Sequence, residues 1–364
     1  MEFTITEYQE DFDKKNYSSF VLGADVGGTN TTVAIAGIKE KTVELIFSLF
    51  VKSSEIDSLI PVITETLKQA AEKYNLEIFK GCIGVAGVVS KNKRYAELTN
   101  IPLKVDANEI IEKTDLQSVY IINDFEALGY GINILQLDKP EDVFIIRDQD
   151  QEISRKTKAV MGAGTGLGKG ILIFDEKKRF FYPTASEGGH CDFPTYNDFE
   201  RELTEYVKTT RDSKYPIIYE DFLSGRGLET IYKFLRTKNM YPETEYTKEI
   251  DAANEKTPMI SKYREQDETC RETFKIFTKF YGRSAKNFVL DSLATGGLFI
   301  AGGIAAKNKE IFKDPVFFEE FENVYQYSDV LKNVPVFVIT NEDIGLLGAC
   351  FAATYKTGGV LIYE

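Results

Sequence analysis

Glu187 and His190 flank Gly188-Gly189 in the stretch TASEGGHCDF, and His190 is the only histidine among 364 residues. An acid and an imidazole on a corner without intervening side chains can face one small polar ligand. Three chemistries suit the pair. His190 could be the base of a nucleophile, but no GxSxG-like motif accompanies it. It could ligate metal with Cys191 or Asp192, but a structural zinc wants four N or S ligands and the cysteines are not clustered. As a neutral hydrogen-bonding partner of a hydroxyl-rich ligand it fits best. The bland alternative is a satisfied loop histidine.

Two glycine-rich turns suit a different ligand. In Asp25-Val26-Gly27-Gly28-Thr29-Asn30, the glycines let successive N–H groups converge on one anion. Asp25 could hold hydrated Mg²⁺ against phosphates, with Thr29 and Asn30 as added donors. A plain tight hairpin turn would need the same two glycines. In Gly162-Ala163-Gly164-Thr165-Gly166-Leu167-Gly168, alternate glycines strip one strand face bare, so a nucleotide could approach the backbone near Gly164, Thr165 and Gly166. This run is neither a P-loop, which needs GxxxxGK and then Ser or Thr, nor a dinucleotide GxGxxG fingerprint. Gly302-Gly303 after LFIA forms a third, weaker candidate beside an adenine or ribose.

Asn123-Asp124 ends the run VYII, and in α/β sheets ligands gather at the carboxyl ends of strands. A helix N-cap role for the Asp is compatible, since a helix N-terminus keeps a carboxylate ionised and ready to accept from a hydroxyl. Glu220, in IYEDFLSGRGL, reads by itself only as a helix-start residue.

The elements that must position these groups alternate. FVLGADVGGTNTTVAIAGI reads as a hairpin, and DSLIPVITETLKQAAEKY has helical spacing with Pro61 in the first turn. GCIGVAGVV and VYIIND read as buried strands, and FEALGYGI as the start of a helix. KAVMGAGTGLGKGILIFD repeats the strand, glycine turn and strand, as a duplicated α/β unit would. Residues 194–262 are mostly polar, with helices placed only loosely. A long helix starts near Arg271 and ends near Gly296-Gly297, followed by the strand LFIAGGI. Such alternation predicts α/β with largely parallel sheets. Residues 1–18 read as a tail or an added edge element.

Bulk properties bound the function. The length suggests two domains. The 43% hydrophobic and 28% charged composition is that of a soluble globular enzyme. A net charge of −13 argues against a nucleic-acid surface or docking on anionic lipid. No apolar run reaches membrane length, and the acidic opening MEFTITEYQEDFDKK lacks a signal-peptide core. The scattered Cys82, Cys191, Cys270 and Cys350 fit reduced thiols in a cytoplasm.

Taken together, ADVGGTN, LTNIPL, IINDF, GAGTGLG, EGGH, EDFLSGRGL and GGLFIAGGI resemble, in the same order, the motifs of bacterial-type glucokinases of the hexokinase/actin superfamily. The resemblance spans about Phe20 to about Ala353. It implies a two-domain actin-like (ribonuclease H-like) ATPase fold with mixed sheets, closing over an interdomain cleft. The implied boundaries are an extension at 1–18, a small domain at 19–134 plus 342–364, and a large domain at 135–341. The implied activity is ATP- and Mg²⁺-dependent phosphorylation of the glucose 6-hydroxyl. By the resemblance Asp124 is the base, and Asn100, Asn123, Asp124, Glu187, His190 and Glu220 contact the sugar. DVGGTN and GAGTGLG become phosphate loops, with Gly302-Gly303 near the adenosine. Related sugar kinases of repressor ancestry carry a CxCGxxGC zinc cluster; its absence here implies a zinc-free enzyme. The family also suggests a homodimer. A kinase for mannose, fructose or an N-acetylated amino sugar, or a sugar sensor without turnover, are the competing readings. Lys169, directly after the second glycine run, gets no role from the resemblance.

Overall fold

In the computed structural model, which describes residues 3–39, 42–99, 101–148, 155–211 and 214–356, each glycine-rich turn joins two neighbouring strands. From the N-terminus the chain runs β1 (Thr4–Glu7), β2 (Ser19–Val26), β3 (Asn30–Lys39), β4 (Thr42–Lys52), α1 (Ile60–Tyr74) and β5 (Lys80–Val85). It continues through β6 (Gly87–Val89), β7 (Tyr95–Leu98), β8 (Lys104–Asp106), α2 (Ala107–Lys113), β9 (Ser118–Asn123) and α3 (Asp124–Gly131). The middle holds β10 (Val143–Arg147), β11 (Lys158–Ala163), β12 (Leu167–Asp175), β13 (Phe180–Ser186), α4 (Asp198–Arg211), α5 (Gly225–Thr237), α6 (Glu245–Ala252), α7 (Lys256–Lys262) and α8 (Glu268–Ser292). Last come β14 (Leu298–Ala301), α9 (Gly303–Lys307), α10 (Pro315–Phe321), α11 (Ser328–Lys332), β15 (Val336–Ile339) and α12 (Ile344–Lys356).

The chain forms two compact units. One comprises Met1–Gln136, Leu172–Ala185 and Asn341–Glu364; the other comprises Leu137–Ile171 and Ser186–Thr340. The stretch 172–185 thus falls outside the continuous 135–341 segment of the sequence reading. Its aromatic residues explain this. Phe180 packs against Tyr130, Phe351 and Tyr355, and the Phe181 backbone exchanges hydrogen bonds with the Asn133 side chain.

The first unit holds a mixed sheet in the order β1-β4-β3-β2-β5-β9, with β2, β5 and β9 parallel. Both faces are apolar because both are covered. Val62, Ile63 and Ala70 of α1 pack with Leu22, Val33 and Ile35; Leu346, Ala349 and Cys350 of α12 pack with Val21, Ala34 and Cys82. Gly23 is needed because any side chain there would meet the Cys350 Sγ of α12. GCIGVAGVV is not one strand. It splits into β5 and β6, and β6 joins the small antiparallel sheet β6-β7-β8, with Gly87 crowded against the backbone of Glu97.

The other six-stranded sheet has the order β10-β15-β14-β11-β12-β13, with β11, β14 and β15 parallel. The two sheets share a plan. A glycine-turned pair lies beside a strand parallel to its first member, and a second parallel strand follows. The duplication suggested by the two hairpins is present in the strand order. Helix α8 starts on an Asp267 cap that accepts from the Cys270 N–H, and ends at Leu293, whose φ is 48°. It therefore stops a turn before Gly296-Gly297. Those glycines serve the entry to β14 instead: Gly296 abuts the Lys156 carbonyl and Gly297 takes a φ of 132°.

The segment before β2 is an edge element. β1 pairs antiparallel with β4 in the register Thr4↔Phe50 to Glu7↔Phe47. Phe12 meets Tyr74 edge-on at 5.3 Å, and the Tyr17 hydroxyl donates to Glu44 at 3.0 Å. Deleting residues 1–18 should therefore uncover β4 and strip this aromatic cluster. A thermal melt followed by circular dichroism is expected to show a midpoint lower by several degrees; an unchanged midpoint would make the segment a mere appendage.

Candidate active site

Each unit presents one cluster of the expected residues. In the first unit the turn between β2 and β3 is pinned from behind. The Ser53 hydroxyl donates to the Gly27 carbonyl at 2.7 Å and bonds Thr31 Oγ1 at 2.8 Å, while the Ser53 N–H donates to the Thr29 carbonyl at 2.8 Å. The Gly27 N–H bonds the Asn30 carbonyl. Among the described residues no backbone carbonyl accepts from the Gly28 or Thr29 N–H. Two successive amides at one turn are thus left for an anion, the arrangement called a nest.

Asp25 closes β2 just before this turn. Burial, then the charges of Asp124 and Asp343, raise its pKa to about 6. Its Oδ2 lies 3.2 Å from where a Cβ on Gly345 would stand, so α12 can approach only because that position is glycine. A cation beside Asp25 would relieve the repulsion it feels from those two charges, and a carboxylate oxygen suits Mg²⁺. Among the described residues no group of three or more His, Cys, Asp or Glu could hold a metal ion unaided. Asp25 therefore fits a hydrated Mg²⁺ that takes its other ligands from water and phosphate.

Asp124 lies at the first helical position of α3, at the carboxyl end of β9. The capping residue is Asn123, whose Oδ1 accepts from the Phe125 N–H at 2.9 Å, so the N-cap reading belongs to Asn123 rather than to Asp124. Asp124 Oδ1 accepts from the same N–H at 3.0 Å. Asn123 Nδ2 also donates to the Gly87 carbonyl at 3.4 Å, tying the strand end to β6. Asn100 lies outside the described residues.

In the second unit the expected residues form a chain of neighbours. The Gly164 N–H closes onto the Gly166 carbonyl at 2.8 Å, and the Gly164 carbonyl accepts from the Gly225 N–H at 2.9 Å. Among the described residues, the Thr165 and Gly166 amides have no carbonyl partner. A Cβ on Gly166 would stand 2.5 Å from Glu220 Oε2, and the Leu167 N–H donates to that same oxygen at 2.9 Å. His190 Nε2 lies 3.9 Å from Glu220 Oε2, and its Nδ1 lies 3.3 Å from Glu187 Oε2. Glu187 is 90% exposed and His190 56%, whereas Glu220 is 19% exposed. The imidazole thus bridges a held carboxylate and an open one, as a ligand-facing corner would. Gly302, with a φ of 90°, lies against Ala163 of the second turn; a Cβ there would be 2.7 Å from the Ala163 carbonyl oxygen. Gly303 has open space around it.

Sequence reasoning missed Ser53, Asp343 and Gly345. No motif signal marks Ser53, which lies beyond β3 and β4 in sequence. Asp343 and Gly345 could have been found only as an acid and a glycine at the head of the last apolar helix.

The glucokinase family model matches residues 22–356. The chain belongs to the glucokinase family. The glucokinase of Nostoc punctiforme is 31% identical over 350 residues, covering 92% of this chain and 99% of its own length. Three glucokinase structures share the two-domain actin-like α/β fold. That from an Antarctic psychrotroph has a TM-score of 0.77 at 24% identity, covering 93% of this chain and 99% of its own. That of Balamuthia mandrillaris, in complex with glucose, has a TM-score of 0.75 at 22% identity, covering 92% and 93%. That of Streptomyces griseus, in complex with glucose and AMPPNP, has a TM-score of 0.62 at 18% identity, covering 93% and 100%. The family match begins after β1, so the edge strand precedes the region held in common. No helix among the described residues of this family member is long and apolar enough to cross a membrane.

Proposed function

We propose that this glucokinase-family enzyme transfers the γ-phosphoryl group of ATP to the 6-hydroxyl of glucose. The observation that carries the reading is the pairing of two kinds of group in one chain. Amide nests suited to phosphate recur at Gly28-Thr29 and Thr165-Gly166. Carboxylates and one imidazole suited to hydroxyls gather at Glu187, His190 and Glu220.

Phosphoryl transfer needs an oriented alcohol and neutralised phosphate oxygens more than strong bases. Asp124 orients the 6-hydroxyl and takes its proton late, as the O–P bond forms, since a carboxylate of pKa about 3.9 is a poor base for a free alcohol. The α3 N-terminus favours negative charge at that position. Asn123 and Asn100 join the sugar contacts. Glu187 and Glu220 accept from sugar hydroxyls, and His190 offers its ring nitrogens to the same hydroxyls. The two nests hold phosphate oxygens, with Gly302-Gly303 beside the adenosine. Mg²⁺, held through water by Asp25, would supply neutralisation of the phosphate charge.

Glu220 reaches its place over a bare glycine, which yields a sharp expectation. Gly166→Ala pushes its methyl into the Glu220 carboxylate and should raise the glucose KM more than it lowers kcat. Steady-state kinetics with glucose varied at saturating ATP would check this; an unchanged KM would detach Glu220 from the sugar.

A panel of hexoses and phosphoryl donors tests the function as a whole. A sugar that inverts or lacks one recognised hydroxyl leaves a buried polar group unpaired and should lose a large factor in kcat/KM. Glucose with ATP is expected to lead the panel. A better turnover of mannose, fructose or an N-acetylated amino sugar would reassign the substrate, and binding without turnover would make the chain a sensor.

A further inference from the structure

Lys169 is a buried cation that neither glycine turn requires. It follows the second glycine run on β12, and only 4% of it is exposed. Its Nζ lies 5.1 Å from the ring centres of both Tyr219 and Phe288. Its Cδ and Nζ lie 3.0 and 3.6 Å from where a Cβ on Gly188 would stand. Among the described residues it makes no hydrogen bond and no ion pair. A buried ammonium without a carboxylate partner is costly to keep, and an apolar residue of similar size would fill the site at lower cost.

Its neighbours suggest why it is kept. Gly188 sits between Glu187 and His190 on the ligand-facing corner. Tyr219 immediately precedes Glu220, and its hydroxyl accepts from Asn287 Nδ2 at 2.7 Å. The Lys169 side chain therefore occupies the space beside bare Gly188 in the turn that carries one acid–imidazole pair, with its ammonium over the ring beside the second acid. From the geometry we infer that Lys169 is a positioning residue for sugar recognition, its ammonium clamping the Glu187–His190 corner against the turn that bears Glu220. The clamp is a cation held between two aromatic faces, an interaction that strengthens when desolvated. This inference rests on the glucose reading above.

The charge of the clamp should be sensitive to alkali. Burial lowers the Lys169 pKa to about 8, while Cys191 and Asp291 oppose the shift. The titratable groups facing it are Cys191 beyond the corner, Tyr219 on the turn, and Asp291 near the end of α8. The folded pKa lies below the unfolded value of about 10.4. Between those two values the unfolded chain binds the extra proton, so Lys169 adds stability as pH rises from about 8 to about 10. Over the same rise the clamp loses its charge, so sugar affinity should fall. Stability and affinity thus move in opposite directions.

The test compares wild type, Lys169→Met and Lys169→Arg by calorimetric glucose titration from pH 7 to pH 9.5, with kinetics and thermal melts alongside. Wild type is expected to bind glucose more weakly above pH 8. Lys169→Met should raise the glucose KM about tenfold at neutral pH, the scale of a desolvated cation–aromatic contact. It should show no alkaline decline in affinity, a kcat affected less than KM, and a thermal midpoint no lower than wild type. Lys169→Arg should recover part of the affinity and move the alkaline decline to higher pH. Wild-type affinity with an unaltered pH profile in Lys169→Met would overturn the inference. A lower midpoint in Lys169→Met with unaltered affinity would also overturn it, by making Lys169 structural only. If wild type itself binds no glucose at any pH, the glucose reading fails instead.

Discussion

Asp124→Asn is expected to lower kcat for glucose phosphorylation by about 10²–10⁴, the range spanned by removal of a positioned acid–base group. The side chain keeps its shape and its place at the first turn of α3. Asn123 still caps that helix through the Phe125 N–H, so the fold should survive. The amide can still accept from a sugar hydroxyl but cannot take its proton. Glucose affinity should therefore stay within a few-fold while turnover collapses. Binding by calorimetry and turnover by product formation separate the two effects. Near-normal kcat would remove Asp124 from the proton transfer. A parallel loss of affinity and turnover would make it a sugar anchor instead.

The second large effect concerns stability. Arg283 of α8 is fully buried, yet it carries a charge. Its Nη1 and Nη2 donate to Glu200 at 2.8 and 2.9 Å, and its Nε and Nη2 donate to Glu320 at 3.0 and 3.1 Å. Nη1 also donates to the Pro194 carbonyl at 2.8 Å, and the guanidinium stacks 3.7 Å from the Tyr196 ring centre. One side chain thus fastens α8 to α4, to α10 and to the segment that follows the His190 corner. Burial alone would push the Glu200 pKa up; the bonds from Arg283, the Tyr196 N–H and Lys279 outweigh it and hold the group at about 2.

Arg283→Met keeps much of the volume and removes the charge. Two buried carboxylates then share only Lys279, 2.9 Å from Glu200 and 3.8 Å from Glu320. The expected cost is about 3–5 kcal/mol, as for other broken buried pairs. The pH dependence carries the sign. In wild type the depressed Glu200 pKa contributes stability that is full above its unfolded value of about 4.3 and is lost as pH falls towards about 2. Without Arg283, burial dominates and the carboxylates bind protons more tightly in the folded chain. The variant's deficit should therefore shrink on acidification from pH 7 to pH 5. Urea unfolding at the two pH values checks both the size and the slope. A deficit that is small, or that grows on acidification, would contradict this reading of the network.

The residues proposed for the site can be named from the sequence because their motifs are local. Each glycine turn and the EGGH corner is a short stretch whose backbone freedom and side-chain chemistry are written in consecutive residues. The alternation of runs also exposed the α/β class and the repeated hairpin plan. What stayed hidden was set by packing between distant segments. Ser53 reads as an ordinary polar residue until β4 brings it behind the Gly27 turn. Asp343 and Gly345 gain meaning only when α12 lies against Asp25. The end of α8 was misplaced because Leu293 takes a left-handed conformation that glycine usually supplies. Residues 172–185 were assigned to a continuous second domain because no local signal marks the aromatic contacts that draw them to the first unit. The sequence gives no sign of the role of Arg283, since burial of a paired cation leaves no trace in a hydrophobic pattern.

The most direct measurement supplies the protein with glucose, ATP and Mg²⁺ and follows ADP and glucose 6-phosphate together. The account predicts both products in equal amounts, formed only when glucose is present and nearly absent with Asp124→Asn. ADP release that ignores glucose, or a phosphorylated sugar other than the 6-phosphate, would contradict it.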